Sequence, residues 1–244
     1  MKVLVATIVA LISFCIPAEA ERLTAKSWLV ADSLGQIVQG ENVDEVRPIA
    51  SISKLFTAMI VLDARQDLEQ TIAYNKKLSV TRRQLLEMSL VHSDNHASQL
   101  LCDNYPGRTE ACVRALNDKA QALGMSSTRL SDPTGLDARN VSTARELILL
   151  TRAARTYGVI IDASKMSRVD IQMKRRWLFF KNTNPMIGKN PNVLVSKTGF
   201  INASGGCIVL LLDSELGDRV VVVLGSKNTH TRIPEAEFIS KIKE

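Results

Sequence analysis

Aromatic residues make up only 5% of this chain of 244 residues, histidine occurs 3 times, and no glycine-rich phosphate loop is spelled anywhere along it. Those absences remove several classes of function. Without the loop there is no phosphate cradle for a nucleotide. Without interleaved aromatic and basic residues there is no ribonucleoprotein pattern, so no nucleic-acid partner is expected even though the formal charge is +6. A polyanionic surrounding such as a carboxylate-rich cell wall satisfies that charge equally well. His92 and His96 are the only pair with ligand spacing, four residues apart as on one helix face, and no third ligand accompanies them. Neither a metal nor any other cofactor is expected.

Long apolar runs are also lacking, with one exception at the start. MKVLVATIVALISFCIPAEA has a lysine at position 2, an apolar stretch from Val3 to Ile16, and a small-x-small ending at Ala18 and Ala20. This is the pattern of a secretory signal peptide, and the apolar stretch is shorter than the roughly 20 residues a spanning helix needs. Residues 1–20 are therefore read as a cleaved leader and residues 21–244 as one domain, with no integral membrane span after cleavage. A lipid-anchored reading through Cys15 is disfavoured by the bulky Phe14 before it. Of the cysteines that follow the leader, Cys102 and Cys112 flank a turn, DNYPGRTEA, and form a candidate disulfide in an oxidising compartment. Cys207 lies within GCIVLLL and reads as a core thiol.

SWLVAD and QIVQGEN, parted by Ser33-Leu34-Gly35, read as a β-hairpin. From Ser51 to about Tyr157 the periodicity is helical, in KLFTAMIVLDA, RRQLLEMSLV, ACVRALNDKAQALGM and STARELILLTRAA, with a capping box expected at Thr143 and Glu146. Strand-like runs return in VDIQM, RWLFF, VLVSKTGF, GCIVLLLD and RVVVVLG, the last two joined by the turn DSELGDR, and PEAEFISKIKE reads as a closing helix with Pro234 in its first turn. Strands at both ends around a helical middle predict an α+β domain whose antiparallel sheet is formed by both chain ends.

Ser51 and Lys54 head an apolar helix three residues apart, so hydroxyl and amine share one face. A serine needs a neighbouring base, and a buried lysine near other positive charge can be neutral enough to serve. The same Ser-x-x-Lys spacing recurs at Ser240 to Lys243 in the polar tail, where it reads as a solvated face. Ser51 differs in its company. Ser93-Asp94-Asn95 follows at the end of a helical pattern, and Lys197-Thr198-Gly199 follows in a strand-like run. Ser93 is a candidate proton carrier between Lys54 and a departing amine, and Asn95 a candidate to hold substrate and fix Lys54. Lys197 is expected to depress the pKa of Lys54 and, with Thr198, to bind a substrate carboxylate. Gly199 leaves room for a ligand along the strand edge, with the backbone N–H groups of Ser51 and Phe200 as the expected oxyanion hole.

The three motifs in this order are the signature of penicillin-binding proteins and class A β-lactamases. PIASISKLFTAMIVLDA, MSLVHSDNHASQLLCDNYPG, LGMSSTRLSDPTGLDARNVSTARELILL, FKNTNPMI and VSKTGFINASGGC resemble the low-molecular-mass penicillin-binding proteins, the D-alanyl-D-alanine endopeptidases most of all. The resemblance covers nearly all of residues 27–226. It implies a β-lactamase/transpeptidase-like fold, peptidoglycan peptides as substrates, β-lactams as covalent inhibitors, and a Ser51 acyl-enzyme assisted by Lys54, Ser93, Asn95 and Lys197. D-alanyl-D-alanine carboxypeptidase is the alternative within the family. A β-lactamase is disfavoured because DPTGLDARN stands where a Glu-x-x-x-Asn arrangement would prime water. A non-catalytic penicillin-binding module is disfavoured because the site is intact. Two departures are expected to matter. The stretch Leu68 to Arg82 is shorter than in the family, which implies a missing hairpin and a trimmed cleft wall. The chain also ends soon after its last helix, without the extra domain and amphipathic anchor of carboxypeptidase relatives, which implies a soluble periplasmic enzyme.

Overall fold

A computed structural model of the protein describes residues 23–215 and 217–242; the leader, with Cys15, and Lys243 lie outside the described residues. The chain runs β1 (Ser27–Ala31), β2 (Ile37–Glu41), β3 (Arg47–Pro48), a 3-10 turn (Ala50–Ser53), α1 (Lys54–Asp63), β4 (Thr71–Asn75), β5 (Leu78–Thr81), α2 (Arg82–Val91), α3 (Asn95–Asp103) and α4 (Arg108–Ala122). It continues through β6 (Val141–Ser142), α5 (Ala144–Ala154), α6 (Gly158–Lys165), β7 (Arg168–Met173), β8 (Arg176–Lys181), β9 (Val193–Ile201), β10 (Gly205–Leu212), β11 (Arg219–Ser226) and α7 (Arg232–Ile239). The main sheet has the order β2-β1-β11-β10-β9 and is antiparallel throughout, so both chain ends meet in it as expected.

The uninterrupted apolar runs of β10 and β11 follow from burial on both sheet faces. Leu29, Val209, Leu211, Val220 and Val222 point into the helical core. Their neighbours Trp28, Val30, Ile208, Leu210, Val221 and Val223 pack beneath α7 with Ile233 and Ile239. α1 shows why its sequence has no clean polar face. Every residue from Lys54 to Val61 is buried, which makes it the central helix of the domain.

The helical stretch from Ser51 to Tyr157 is more broken than its periodicity predicts. It contains the two-stranded ribbon β4–β5 and the strand β6, which pairs with β3. The stretch Leu68 to Arg82 keeps one compact hairpin of its own, β4–β5. Buried Arg82 ties it down, donating to the Asp67 carbonyl and, at 2.6 Å, to Gln70 Oε1. The full capping box lies at Thr81 and Gln84, where side chain and backbone bond reciprocally at 3.1 and 2.9 Å. At Thr143 only half of one forms. Thr143 accepts from the Glu146 N–H, but the Glu146 carboxylate turns away to Ser127 N and Thr128 Oγ1.

β7 and β8 form a ribbon of their own rather than joining the main sheet. Val169, Ile171, Leu178 and Phe180 on its inner face join the helical core. The closing helix α7 starts at Arg232, with Pro234 in its first turn as expected, and Ser240 in the tail donates to the Glu237 carbonyl, apart from any site. Cys207 is fully buried, and burial pushes its thiol pKa up, so it behaves as a core residue.

Cys102 in α3 and Cys112 in α4 are paired as a disulfide, with Cα atoms 5.4 Å apart. Closing so short a loop restricts the unfolded chain by about 2–3 kcal/mol. The double substitution Cys102→Ala/Cys112→Ala is expected to lower the unfolding free energy by about that amount in urea titrations, and reductant is expected to reproduce the loss in the parent protein. Equal stability with and without reductant would argue against the bridge.

Candidate active site

The three motifs, which begin at Ser51, Ser93 and Lys197, meet where β9 lies against the turn that precedes α1. Ser51 sits in that turn, and Lys54 is the first residue of α1. The turn is pinched between two glycines. A Cβ on Gly135 would overlap the Ala50 carbonyl, and one on Gly199 would stand 2.9 Å from the Ser51 nitrogen. Ala50 itself has φ 47°, a left-handed conformation that costs a non-glycine residue roughly 1–3 kcal/mol and is kept only where the surroundings enforce it.

Lys54 Nζ is buried among three oxygens. It lies 2.8 Å from Ser51 Oγ, 2.7 Å from Asn95 Oδ1, and in a short contact with the Thr134 carbonyl. Burial lowers its pKa from 10.5 to about 7, against the upward pull of the Asp132 and Asp94 carboxylates. Burial, not Lys197, is thus the leading cause, a correction to the expected electrostatic role. Both carboxylates are otherwise engaged. Asp132 Oδ1 accepts from the N–H groups of Thr134 and Gly135, and Asp94 Oδ1 accepts from Ala97 N.

The middle motif divides its labour by geometry. Asp94 is the N-cap of α3, which leaves its flanking residues free for the site. Asn95 bonds Lys54, whereas Ser93, at φ 60°, accepts from Lys197 Nζ at 2.9 Å. In the free protein, Ser93, the candidate proton carrier, is thus bonded to Lys197. His92 and His96 do not share a helix face. His92 caps the end of α2 and bonds the Lys181 carbonyl through Nδ1, while His96 in α3 bonds the Tyr74 carbonyl through Nε2. They clip the motif to the two ribbons on either side of it, β7–β8 and β4–β5. Tyr74 adds a hydroxyl bond to Asp94 at 3.0 Å, and its own pKa is raised to about 12 by burial and by that carboxylate.

Lys197 is buried and its pKa is pushed well below the usual lysine value, first by burial and then by repulsion from Lys54 and Arg232. Thr198 Oγ1 lies 2.6 Å from Thr183 Oγ1. Gly199 carries its carbonyl to Arg232, whose Nη1 donates at 2.7 Å. Phe200 follows on β9, the edge strand of the sheet, and is 41% exposed. Thr134, Gly135, Thr183 and Arg232 were missed as site residues. Thr134 acts through its backbone carbonyl, which no side-chain pattern announces, although DPTG lies inside one of the family-like stretches.

A family model described as D-alanyl-D-alanine carboxypeptidase, peptidase family S11, matches residues 16–75 and 69–228. A D-alanyl-D-alanine endopeptidase of Pseudomonas aeruginosa is 35% identical over 91% of this chain and 77% of its own length. One from Escherichia coli is 33% identical over 90% of this chain and 76% of its own. Among solved structures, penicillin-binding protein D2 of Listeria monocytogenes in a cefotaxime-bound form superposes with a TM-score of 0.81 at 25% identity, covering 90% of this chain and 96% of that one. The Streptomyces K15 DD-transpeptidase gives 0.83 at 22% identity, over 89% of this chain and 96% of its own, a likeness of fold. The fold is thus the β-lactamase/transpeptidase-like α+β fold. With two matched segments spanning most of its length, the chain belongs to the D-alanyl-D-alanine carboxypeptidase family S11 of serine peptidases.

Proposed function

We propose that the protein is a D-alanyl-D-alanine endopeptidase that hydrolyses peptidoglycan cross-links through an acyl-enzyme on Ser51. The observation that carries the reading is the set of partners around Lys54 Nζ. A neutral amine has two N–H bonds and one lone pair. Asn95 Oδ1 and the Thr134 carbonyl can only accept, so they take the two N–H bonds. The lone pair is then left for the one partner that can donate, the Ser51 hydroxyl at 2.8 Å. A pKa near 7 keeps a useful fraction of the amine neutral at the pH where a wall enzyme works.

The proposed sequence starts with Ser51 Oγ attacking the D-alanyl carbonyl while Lys54 takes its proton. The N–H groups of Ser51 and Phe200 hold the oxyanion, and the substrate backbone extends along the β9 edge. Ser93, whose oxygen accepts from Lys197, has its own O–H left to give to the departing nitrogen, and Lys54 replaces that proton. Lys197 and Thr198 bind the terminal carboxylate. Water then hydrolyses the ester with Lys54 again as base. Asp94 and Asp132, the carboxylates that act on Lys54, are committed to backbone N–H groups, and Glu146 to the loop at Ser127 and Thr128, which leaves none of the three for a β-lactamase-like water-priming role. Residues 1–20 are proposed to direct secretion to the periplasm, and no described helix is long and apolar enough to cross a membrane.

Endopeptidase is preferred over carboxypeptidase because the two relatives quoted above carry that name. Purified mature protein is expected to cleave cross-linked muropeptide dimers, and cleavage of pentapeptide monomers alone would sink that assignment. Mixed with benzylpenicillin, it is expected to gain the mass of one drug molecule on the tryptic peptide containing Ser51, and Ser51→Ala is expected to gain none. Labelling that survives in the alanine variant would remove Ser51 as nucleophile.

A further inference from the structure

The tips of the two ribbons beside the site carry charge that the acyl-transfer chemistry does not use. β4 and β5 turn through Lys76 and Lys77, and β7 and β8 turn through Lys174 and Arg175. Lys77, Met173, Lys174, Arg175 and Arg176 line an open cavity of about 540 Å³. Lys76, Lys77, Lys174, Arg175 and Arg176 are all exposed, and none of them joins an ion pair among the described residues. Lys174 also holds φ 52° in a two-residue hairpin loop, a position that favours glycine. Mutual repulsion and turn strain both oppose this cluster in the free protein.

A second feature leads from the cluster back to the site. On the outer face of β8, Trp177 and Phe179 are 53% and 56% exposed, and the Arg168 guanidinium lies 4.8 Å from the Phe179 ring centroid. Just past the end of β8, Thr183 touches Thr198. From Arg176 to Lys181 the strand covers roughly 17 Å. That is too far for the tip to touch the reacting bond, and a suitable spacing for a neighbouring segment of the same polymer.

We infer that this basic cup and aromatic strip hold a second, non-reacting stretch of carboxylate-bearing wall polymer. Acidic peptide stems of peptidoglycan place carboxylates against Arg175 and Arg176, which can grip them bidentately. Trp177 and Phe179 pack against apolar faces of the chain that leads to the site. The charge complementarity is direct, and the continuity with Thr183 and Thr198 favours the substrate polymer over other anions. An anionic membrane surface shares the charge but not the continuity with Thr183 and Thr198 at the site, which is what favours the wall polymer. The inference rests on the peptidase reading, and it makes the enzyme one that prefers the polymeric wall to its soluble fragments.

Binding is measured by co-sedimentation of the Ser51→Ala protein with insoluble sacculi, so that nothing is hydrolysed. Adding Lys77→Gln, Lys174→Gln, Arg175→Gln and Arg176→Gln is expected to weaken binding about tenfold or more, as is amidating the sacculus carboxylates. The same four changes with Ser51 intact are expected to leave the benzylpenicillin acylation rate unchanged, which also reports correct folding. Arg175→Glu alone, at an exposed turn, gives a second reading of the same effect. Unchanged sedimentation of the quadruple variant, or equal binding to native and amidated sacculi, overturns the inference. So does tighter binding by the parent to anionic phospholipid vesicles or to DNA than to sacculi. Failure of acylation in the parent would strike the peptidase reading instead, and the sedimentation would still decide the cup.

Discussion

Burial of the Lys54 amine is the constraint around which the site is arranged. Moving a lysine pKa from 10.5 to about 7 corresponds to roughly 5 kcal/mol against the charged form. That penalty is fully felt below pH 7 and is relieved as pH rises toward 10.5, because over that interval the unfolded chain binds the extra proton. A domain tolerates it only if the remaining core is well packed. α1 supplies that packing, with Lys54 at the head of a helix buried from Lys54 to Val61 and braced by the sheet behind it.

The surroundings of Lys54 have one feature in common: they leave no room for alternatives. Gly135 and Gly199 clamp the Ser51 turn from opposite sides, and any side chain at either position would displace it. Ala50 and Ser93 are both held in left-handed backbone conformations. Preorganisation of this kind fits acyl transfer, where donors must already point at the place where charge develops. The two histidines beside the middle motif extend the bracing outward to the ribbons, so the ribbons and the middle motif form one hydrogen-bonded unit.

Much of this could be read from residue order. β10 and β11 are legible because burial on both faces leaves continuous apolar runs, and the motifs of Ser51, Lys54, Ser93, Asn95 and Lys197, which the structure brings together, are legible because they use side chains. The gaps have physical reasons too. The β4–β5 hairpin hides because its strands are short, each presenting only two apolar residues to the core, Ile72 and Tyr74 on β4 and Leu78 and Val80 on β5, too few for a distinct alternation. The Thr134 carbonyl is backbone, and Arg232 lies just ahead of the segment that reads as a closing helix, in no motif of its own. That Ser93 bonds Lys197 could not be read from the motif, because spacing does not reveal which lysine a left-handed turn will face.

The most direct test of this arrangement is the ionisation of Lys54 itself. Selective carbon-13 labelling of lysine, with Lys54→Arg to assign the signal, allows its titration to be followed by NMR in the mature protein. A midpoint near 7 is predicted. A midpoint close to 10.5, the ordinary lysine value, would mean that the amine stays charged at neutral pH and cannot be the base that activates Ser51.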